Sequence, residues 1–213
     1  MLNTEECEEL AEIVISLRNY WDRIPSERGR YKLGAAAFAE GRQGAQHYVR
    51  ASRDRNRLLE LHFGPFYDHL QFVLSEELGG SVMYATGLAK PGFDIVLAEE
   101  GEESANSAVH RDDQHRFLPW LELPDDSSRT CTFTLPIALP AIGGGLRTWA
   151  EGASTAPGEY HPYLPGEIVI HPGSMLHQDV AVPEGVGASQ SLGHRITLQG
   201  HGLYIGSGWQ FYL

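Results

Sequence analysis

The sequence predicts an α+β fold: two helical segments in the first 80 residues, then an antiparallel β core that closes as a barrel-like sandwich or jelly roll. Three observations predict it. Apolar residues recur at helical spacing only before residue 80, strand-like alternation takes over from Ser81, and the 24 Gly and 12 Pro among 213 residues are densest after residue 135. No helix-length segment separates the later strands, so crossover helices are lacking and the sheet is expected to be mainly antiparallel.

The first helix is expected over 4–21, where Cys7, Leu10, Ala11, Val14, Leu17 and Trp21 share a face and Asn3 with Glu6 can cap the start. A second helical region over 52–78 is expected to break near Gly64-Pro65, since proline suits a fresh first turn, and to end at Gly79-Gly80. Its Leu58, Leu59, Leu61, Leu70, Phe72 and Val73 read as core contacts. Strands are expected over 81–88, 93–97, 130–139, 145–149, 167–171, 175–180, 192–199 and 203–211. In the third of these, Thr130, Thr132 and Thr134 alternate with Cys131, Phe133 and Leu135. Irregular segments at 99–106, 121–129 and 150–161 read as rim loops, the first equally as a solvated excursion. The chain reads as a single domain over 1–213, with 1–80 as helical support and 81–213 as the β core.

Charge narrows the partners. With 28 acidic and 16 basic residues the net charge of −12 repels a phosphate backbone, so no nucleic acid is expected. Arg50, Arg53, Arg55 and Arg57 are interrupted by Asp54 and Glu60 and read as a solvated helix face. Cys7 and Cys131 are too few for a disulfide scaffold and read as reduced thiols. Neither a basic–apolar leader nor an apolar run of about 18–20 residues is present. The expectation is a cytoplasmic protein without membrane attachment. A homodimer stays open, because Trp209 to Leu213 can pack on the sheet or on a second subunit.

Ten histidines invite a metal, and spacing sorts them. His110-Arg111-Asp112 and His177-Gln178-Asp179 are both His-x-Asp triplets, each weak alone. Two histidines and one carboxylate on one side of a metal leave three positions open, a set that suits non-haem Fe(II) oxygen chemistry. If His110 and Asp112 are the first pair, a third ligand must return to the same mouth after several strands. His177 follows Asp112 by 65 residues and sits in an alternating segment. The rival pair, His177 and Asp179, has only His194 and His201 downstream and no Lys or Arg beyond Arg195, so the first assignment is preferred. His115 competes as a ligand but reads more readily as a neighbour of the site or a rim residue, His171 before Pro172-Gly173 reads as structural, and a place for His201 beside the ligands is its less favoured reading. Arg111, Arg116, Arg147 and Trp149 are either at the pocket mouth or plain surface.

The order His110-x-Asp112, Gly143-Gly144-Gly145-Leu146, Leu164-Pro165-Gly166-Glu167, His177, then Arg195-Ile196-Thr197 resembles the Fe(II)- and 2-oxoglutarate-dependent dioxygenases over roughly residues 81–205. The resemblance implies a double-stranded β-helix core of the jelly-roll or cupin-like kind. It implies iron ligation by His110, Asp112 and His177, and Arg195 on the distal carboxylate of 2-oxoglutarate. A guanidinium fork suits that carboxylate, and Thr197, two residues on, shares the strand face and can add a hydroxyl donor. The implied reaction consumes O2 and 2-oxoglutarate, releases succinate and CO2, and oxidises a small molecule, an amino-acid-like compound or a peptide. Related halogenases lack the carboxylate at the Asp112 position, so its presence favours hydroxylation or another oxidation. Two rivals remain: a cupin-like metal oxygenase or isomerase that does not use 2-oxoglutarate, and a non-catalytic jelly-roll binding protein.

Overall fold

The computed structural model describes residues 1–24, 29–97, 107–118, 129–140, 144–150, 158–180 and 194–213. The expected loops at 99–106 and 121–128, and most of 150–161, lie outside the described residues.

Helix α1 (Thr4–Ser16) starts as its sequence dictates: the Asn3 side chain accepts from the Glu6 N–H, and the Glu6 carboxylate accepts from the Asn3 N–H. It ends before the expected residue 21, in a tight turn at Arg18–Tyr20. After the short strands β1 (Asp22–Arg23) and β2 (Arg30–Leu33) and the one-turn helix α2 (Ala37–Glu40) comes α3 (Ala45–Leu78). The expected break at Gly64-Pro65 is absent; α3 runs through Pro65. Pro65 is exposed, so the helix hydrogen bond it cannot make is forfeited on the solvent side, where water can replace it. Gly64, lacking a Cβ, relieves the crowding that a residue before proline normally suffers. The buried stripe is Leu59, Phe63, Tyr67, Leu70 and Leu74, whereas Leu61 and Phe72, expected in the core, are 77% and 62% exposed.

The remaining strands are β3 (Ser81–Tyr84), β4 (Gly92–Leu97), β5 (Thr130–Ala138), β6 (Gly145–Trp149), β7 (Glu159–Pro162), β8 (Val169–Pro172), β9 (Leu176–Val180), β10 (His194–Ile205) and β11 (Gly208–Tyr212). Two sheets form. In the larger, β10 pairs along one edge with β4 and then β11, and along the other with β5, which carries β8; β2 and β1 extend beyond β4. The smaller has the order β7-β6-β9. All described pairings are antiparallel except β11 with β3. This is the expected α+β architecture with a jelly-roll core.

Two expected strands, 192–199 and 203–211, are instead one long strand and its return, and Gly200 and Gly202, which fall between the two expected strands, are strand residues. A Cβ on Gly200 would lie 2.6 Å from Phe133 Cε1, and one on Gly202 would lie 2.7 Å from Phe211 Cζ. These glycines admit aromatic rings against the backbone. The turn comes at Gly206, whose φ of 63° suits glycine. The C-terminal residues pack on their own sheet: Tyr48 Oη accepts from the Ala89 N–H and donates to the Leu213 carbonyl. β1, β2 and β7 were not expected from the pattern, each being only two to four residues long.

The sheets are two-faced. Ile95, Phe133, Leu135, Ile196 and Leu198 meet the buried sides of α1 and α3 in one apolar core, and the alternate residues face the smaller sheet. The threonines of β5 are therefore buried on the opposite side from Phe133 and Leu135, as the alternation predicts. No helix among the described residues is long and apolar enough to cross a membrane.

Gly202→Ala is expected to cost about 1–3 kcal/mol through overpacking. Pro65→Ala is expected to stabilise by about 1–2 kcal/mol, since α3 regains a backbone donor. Urea midpoints at unchanged slope measure both.

Candidate metal and anion site

Between the two sheets lies a cavity of about 180 Å³ lined by β2, β5, β8, β9, β10 and the segment before β5. That segment is docked by its backbone. His110 and His177 exchange two N–H to carbonyl bonds of 2.9 Å, Ser107 N–H donates to the Asp179 carbonyl, and Asp112 N–H donates to the Gly173 carbonyl. Glycine at 173 leaves room for this docking: a Cβ there would lie 2.6 Å from Thr130 Oγ1 and 3.0 Å from the Asp112 carbonyl oxygen.

Docking brings His110, Asp112 and His177 together, with one donor atom from each within 4.8 Å of the others. His110 Nε2 lies 3.5 Å from Asp112 Oδ1, and His177 Nε2 lies 3.4 Å from Asp112 Oδ2. Both rings are oriented from behind, His110 Nδ1 donating to the Ala108 carbonyl at 2.7 Å and His177 Nδ1 to the Met175 carbonyl at 2.9 Å. With a proton held on each Nδ1, each Nε2 is the nitrogen turned to the carboxylate, where either a proton or a metal ion can sit between them.

Asp112 is 8% exposed. Burial opposes its ionisation, but the hydrogen bond from His110 and the fields of His201 and His177 outweigh burial and hold its carboxyl well below the usual carboxylate range. The same hydrogen bond raises the His110 pKa. His171 and His201, set aside in the sequence as structural or merely adjacent, line the cavity. His171 packs on His177 with ring centroids 4.5 Å apart, and burial lowers its pKa. His201 shares a hydrogen bond with Thr132 Oγ1, and burial pushes its pKa down to about 4.

Beyond this triad the cavity turns strongly charged. Arg30 Nε donates to both Asp94 oxygens at 3.0 and 2.9 Å, Lys32 Nζ lies 3.6 Å from Asp94 Oδ2, and Lys32 Nζ donates to Gln199 Oε1. Asp94 is fully buried; burial opposes its ionisation, but Arg30 and Lys32 keep it ionised far below the ordinary range. Asp179, member of the rival triplet, accepts from Tyr163 Oη at 3.0 Å and is not part of the metal cluster. Its carboxyl is also held low: burial opposes, and Arg195 and Arg30 prevail.

Arg195 and Thr197 stand on β10 opposite Val96 and Asp94 of β4, on the strand face that carries Gln199 and His201 into the cavity. They do not line the open cavity. They are buried at 3% and 0% exposure, and Arg195 Nε and Nη1 and Thr197 Oγ1 have no hydrogen-bond partner among the described residues. Three buried donors without acceptors, in a region where Arg30, Lys32 and Arg195 outnumber Asp94 and Asp179, make a cradle for one carboxylate. The donor set of the triad, two imidazoles and a carboxylate, fits Fe(II).

Of the other candidates, His115 falls in a short helical turn away from the cluster, and exposed Arg116 pairs with Asp113 at 3.1 Å. His194 is exposed, on the face opposite Arg195. Arg111 donates to the Ser174 carbonyl and, with Trp149, borders a separate hollow of about 290 Å³ beside Pro172 and Leu176. The sequence reading missed Arg30, Lys32 and Asp94 altogether. Their only signal was a Lys and an Asp placed inside apolar strands, which calls for paired burial.

No family model and no curated protein matches the sequence. Solved structures match the fold. The non-heme alpha ketoglutarate dependent epimerase SnoN from nogalamycin biosynthesis is 13% identical over 96% of this chain and 77% of its own, with a TM-score of 0.53. The carbocyclase SnoK of the same biosynthesis is 12% identical over 100% and 90%, with a TM-score of 0.51. An N-substituted L-amino acid dioxygenase from Burkholderia ambifaria AMMD, in complex with alpha-KG, is 15% identical over 79% and 70%, with a TM-score of 0.52. The chain therefore has the jelly-roll fold of the 2-oxoglutarate-dependent oxygenases, the family that its motif order resembles.

Asp94→Asn is expected to destabilise the fold by about 3–5 kcal/mol, because Arg30 and Lys32 lose their buried counter-charge. The sign in pH follows from the lowered pKa. Asp94 stabilises fully above its unfolded pKa of about 4 and loses that contribution as acid protonates the folded carboxylate. Stability measured against pH is expected to fall less steeply below about pH 4 in Asp94→Asn than in wild type.

Proposed function

We propose that this protein is an Fe(II)- and 2-oxoglutarate-dependent dioxygenase that hydroxylates or otherwise oxidises a small molecule, an amino-acid-like compound or a peptide, with release of succinate and CO2. The observation that carries the reading is the pairing of the two features just described: a His110–Asp112–His177 cluster with its nitrogens aimed at one point, and buried Arg195 donors without an acceptor.

In this reading His110 Nε2, His177 Nε2 and one Asp112 oxygen hold the iron, and Arg195 with Thr197 holds the distal carboxylate of 2-oxoglutarate. When bound, the metal, 2-oxoglutarate and O2 supply the oxidising power that a polypeptide lacks. The protein's own share is placement. The Ala108 and Met175 carbonyls keep both imidazoles in the coordinating tautomer. Asp112 stays anionic at neutral pH and so adds one negative charge to the metal position. Lys32 and Gln199 line the cavity, where they can guide an anionic cosubstrate, while Leu146 and Phe38 give it apolar walls that limit water. A cytoplasmic setting accords with Cys7 and Cys131, both buried as free thiols.

Anaerobic addition of Fe(II) and 2-oxoglutarate is expected to produce a weak visible charge-transfer band, and His177→Ala to abolish it. A band that survives in His177→Ala removes that residue from the ligand set. Arg195→Met is expected to weaken 2-oxoglutarate binding about 100-fold, while Fe(II) binding stays within about threefold. Turnover by Arg195→Met without 2-oxoglutarate would instead select an oxygenase that does not use it.

A further inference from the structure

The outer side of α3 carries a charge order that is unfavourable for a lone helix. Its first turn holds no acidic residue and its last turn no basic one. Arg50, Arg53, Arg55 and Arg57 outnumber Asp54 and Glu60 in the first half, and Asp68, Glu76 and Glu77 carry the second. The macrodipole favours the reverse order. Arg55 is paired within the chain to Asp22, and Glu60 to Lys90. The rest of the pattern has no such explanation: Arg50, Arg57, Asp68 and Glu76 make no ion pair among the described residues.

At 3.6 residues per turn Arg50, Arg57, Leu61, Asp68 and Phe72 fall on a single stripe, with Glu76 at its margin, and all six are exposed. Leu61 and Phe72 are the two most exposed large apolar side chains among the described residues. The stripe is self-complementary. A two-fold axis crossing α3 at the level between His62 and Phe63 sets Arg57 level with Asp68 of a second copy and Arg50 within one residue of Glu76, each pair occurring twice. The two Leu61 side chains then flank the axis beside the exposed Pro65. Asp54, on the same side, comes level with uncharged Gln71, so no like charges meet. Two antiparallel helices also oppose their dipoles, which offsets the reversed charge order that one copy bears alone.

We infer that this face of α3 pairs antiparallel with the same face of a second copy, making a two-fold homodimer. Residues 50 to 76 span roughly 39 Å of helix axis, and at a helix width of roughly 10–12 Å the strip is modest in area. It suits a weak, salt-sensitive dimer rather than an obligate one. The cavity opens on the other side of the larger sheet, so the pairing does not depend on the proposed chemistry.

Sedimentation velocity over roughly 1 to 200 µM protein tests the inference. Wild type is expected to rise from the 23.5 kDa chain toward twice that mass and to fall back as salt is added. Arg57→Glu and Asp68→Arg are each expected to weaken association about tenfold or more, because each puts like charges at two symmetric places. An equimolar mixture of the two variants is expected to restore it, since the new carboxylate of one chain then meets the new guanidinium of the other. Leu61→Glu is expected to give only single chains. The inference is overturned if wild type stays at one-chain mass throughout, if a dimer forms that none of these changes affects, or if the mixture fails to associate while both variants keep wild-type circular dichroism.

Discussion

Asp112 is the constraint on which the rest of the site depends. A carboxylate buried between two sheets normally neutralises itself, and here it remains ionised because two imidazole edges face it. Those edges face it only because backbone carbonyls hold each ring from behind, and because the 107–112 segment is pinned to β9 and to the turn before it by main-chain bonds. The jelly roll supplies the geometry: one sheet brings β9 and the docked segment, the other brings the polar faces of β5, β8 and β10. Removing either imidazole would leave the carboxylate buried and undercompensated, so the cluster is held together electrostatically before any metal is considered.

A second charge centre lies deeper. Arg30 and Lys32 neutralise Asp94; Tyr163 and Gln199 engage Asp179; and Arg195 Nε and Nη1 are buried donors with no acceptor among the described residues. Hydrogen-bond economy makes that arrangement meaningful, since a folded protein rarely abandons a buried guanidinium. His110, Asp112 and His177 line the same cavity as Arg30, Lys32 and Asp179, whereas Arg195 and Thr197 are buried outside its open lining.

Much of this was legible in the sequence, for reasons that differ by element. Asn3 and Glu6 act over three residues, so the α1 start could be read locally. The alternation of β5 survives because its two faces meet chemically different neighbours, rings on one side and a polar cavity on the other. His110, Asp112 and His177 were found by order and spacing. What failed depended on neighbours distant in sequence. Pro65 does not break α3 because its unpaired turn faces water, and β10 runs on through Gly200 and Gly202, between the two expected strands, where Phe133 and Phe211 occupy the space that side chains would need. Arg30 and Lys32 were invisible because β2 is four residues long and acquires meaning only beside β4.

Anomalous diffraction from crystals grown anaerobically with Fe(II) and 2-oxoglutarate tests the central claim most directly. The expected map has one iron peak bonded to His110 Nε2, His177 Nε2 and an Asp112 oxygen, with the distal carboxylate of 2-oxoglutarate on Arg195. A peak elsewhere in the molecule, or a carboxylate bound by Arg30 and Lys32 with Arg195 still without an acceptor, would contradict the account.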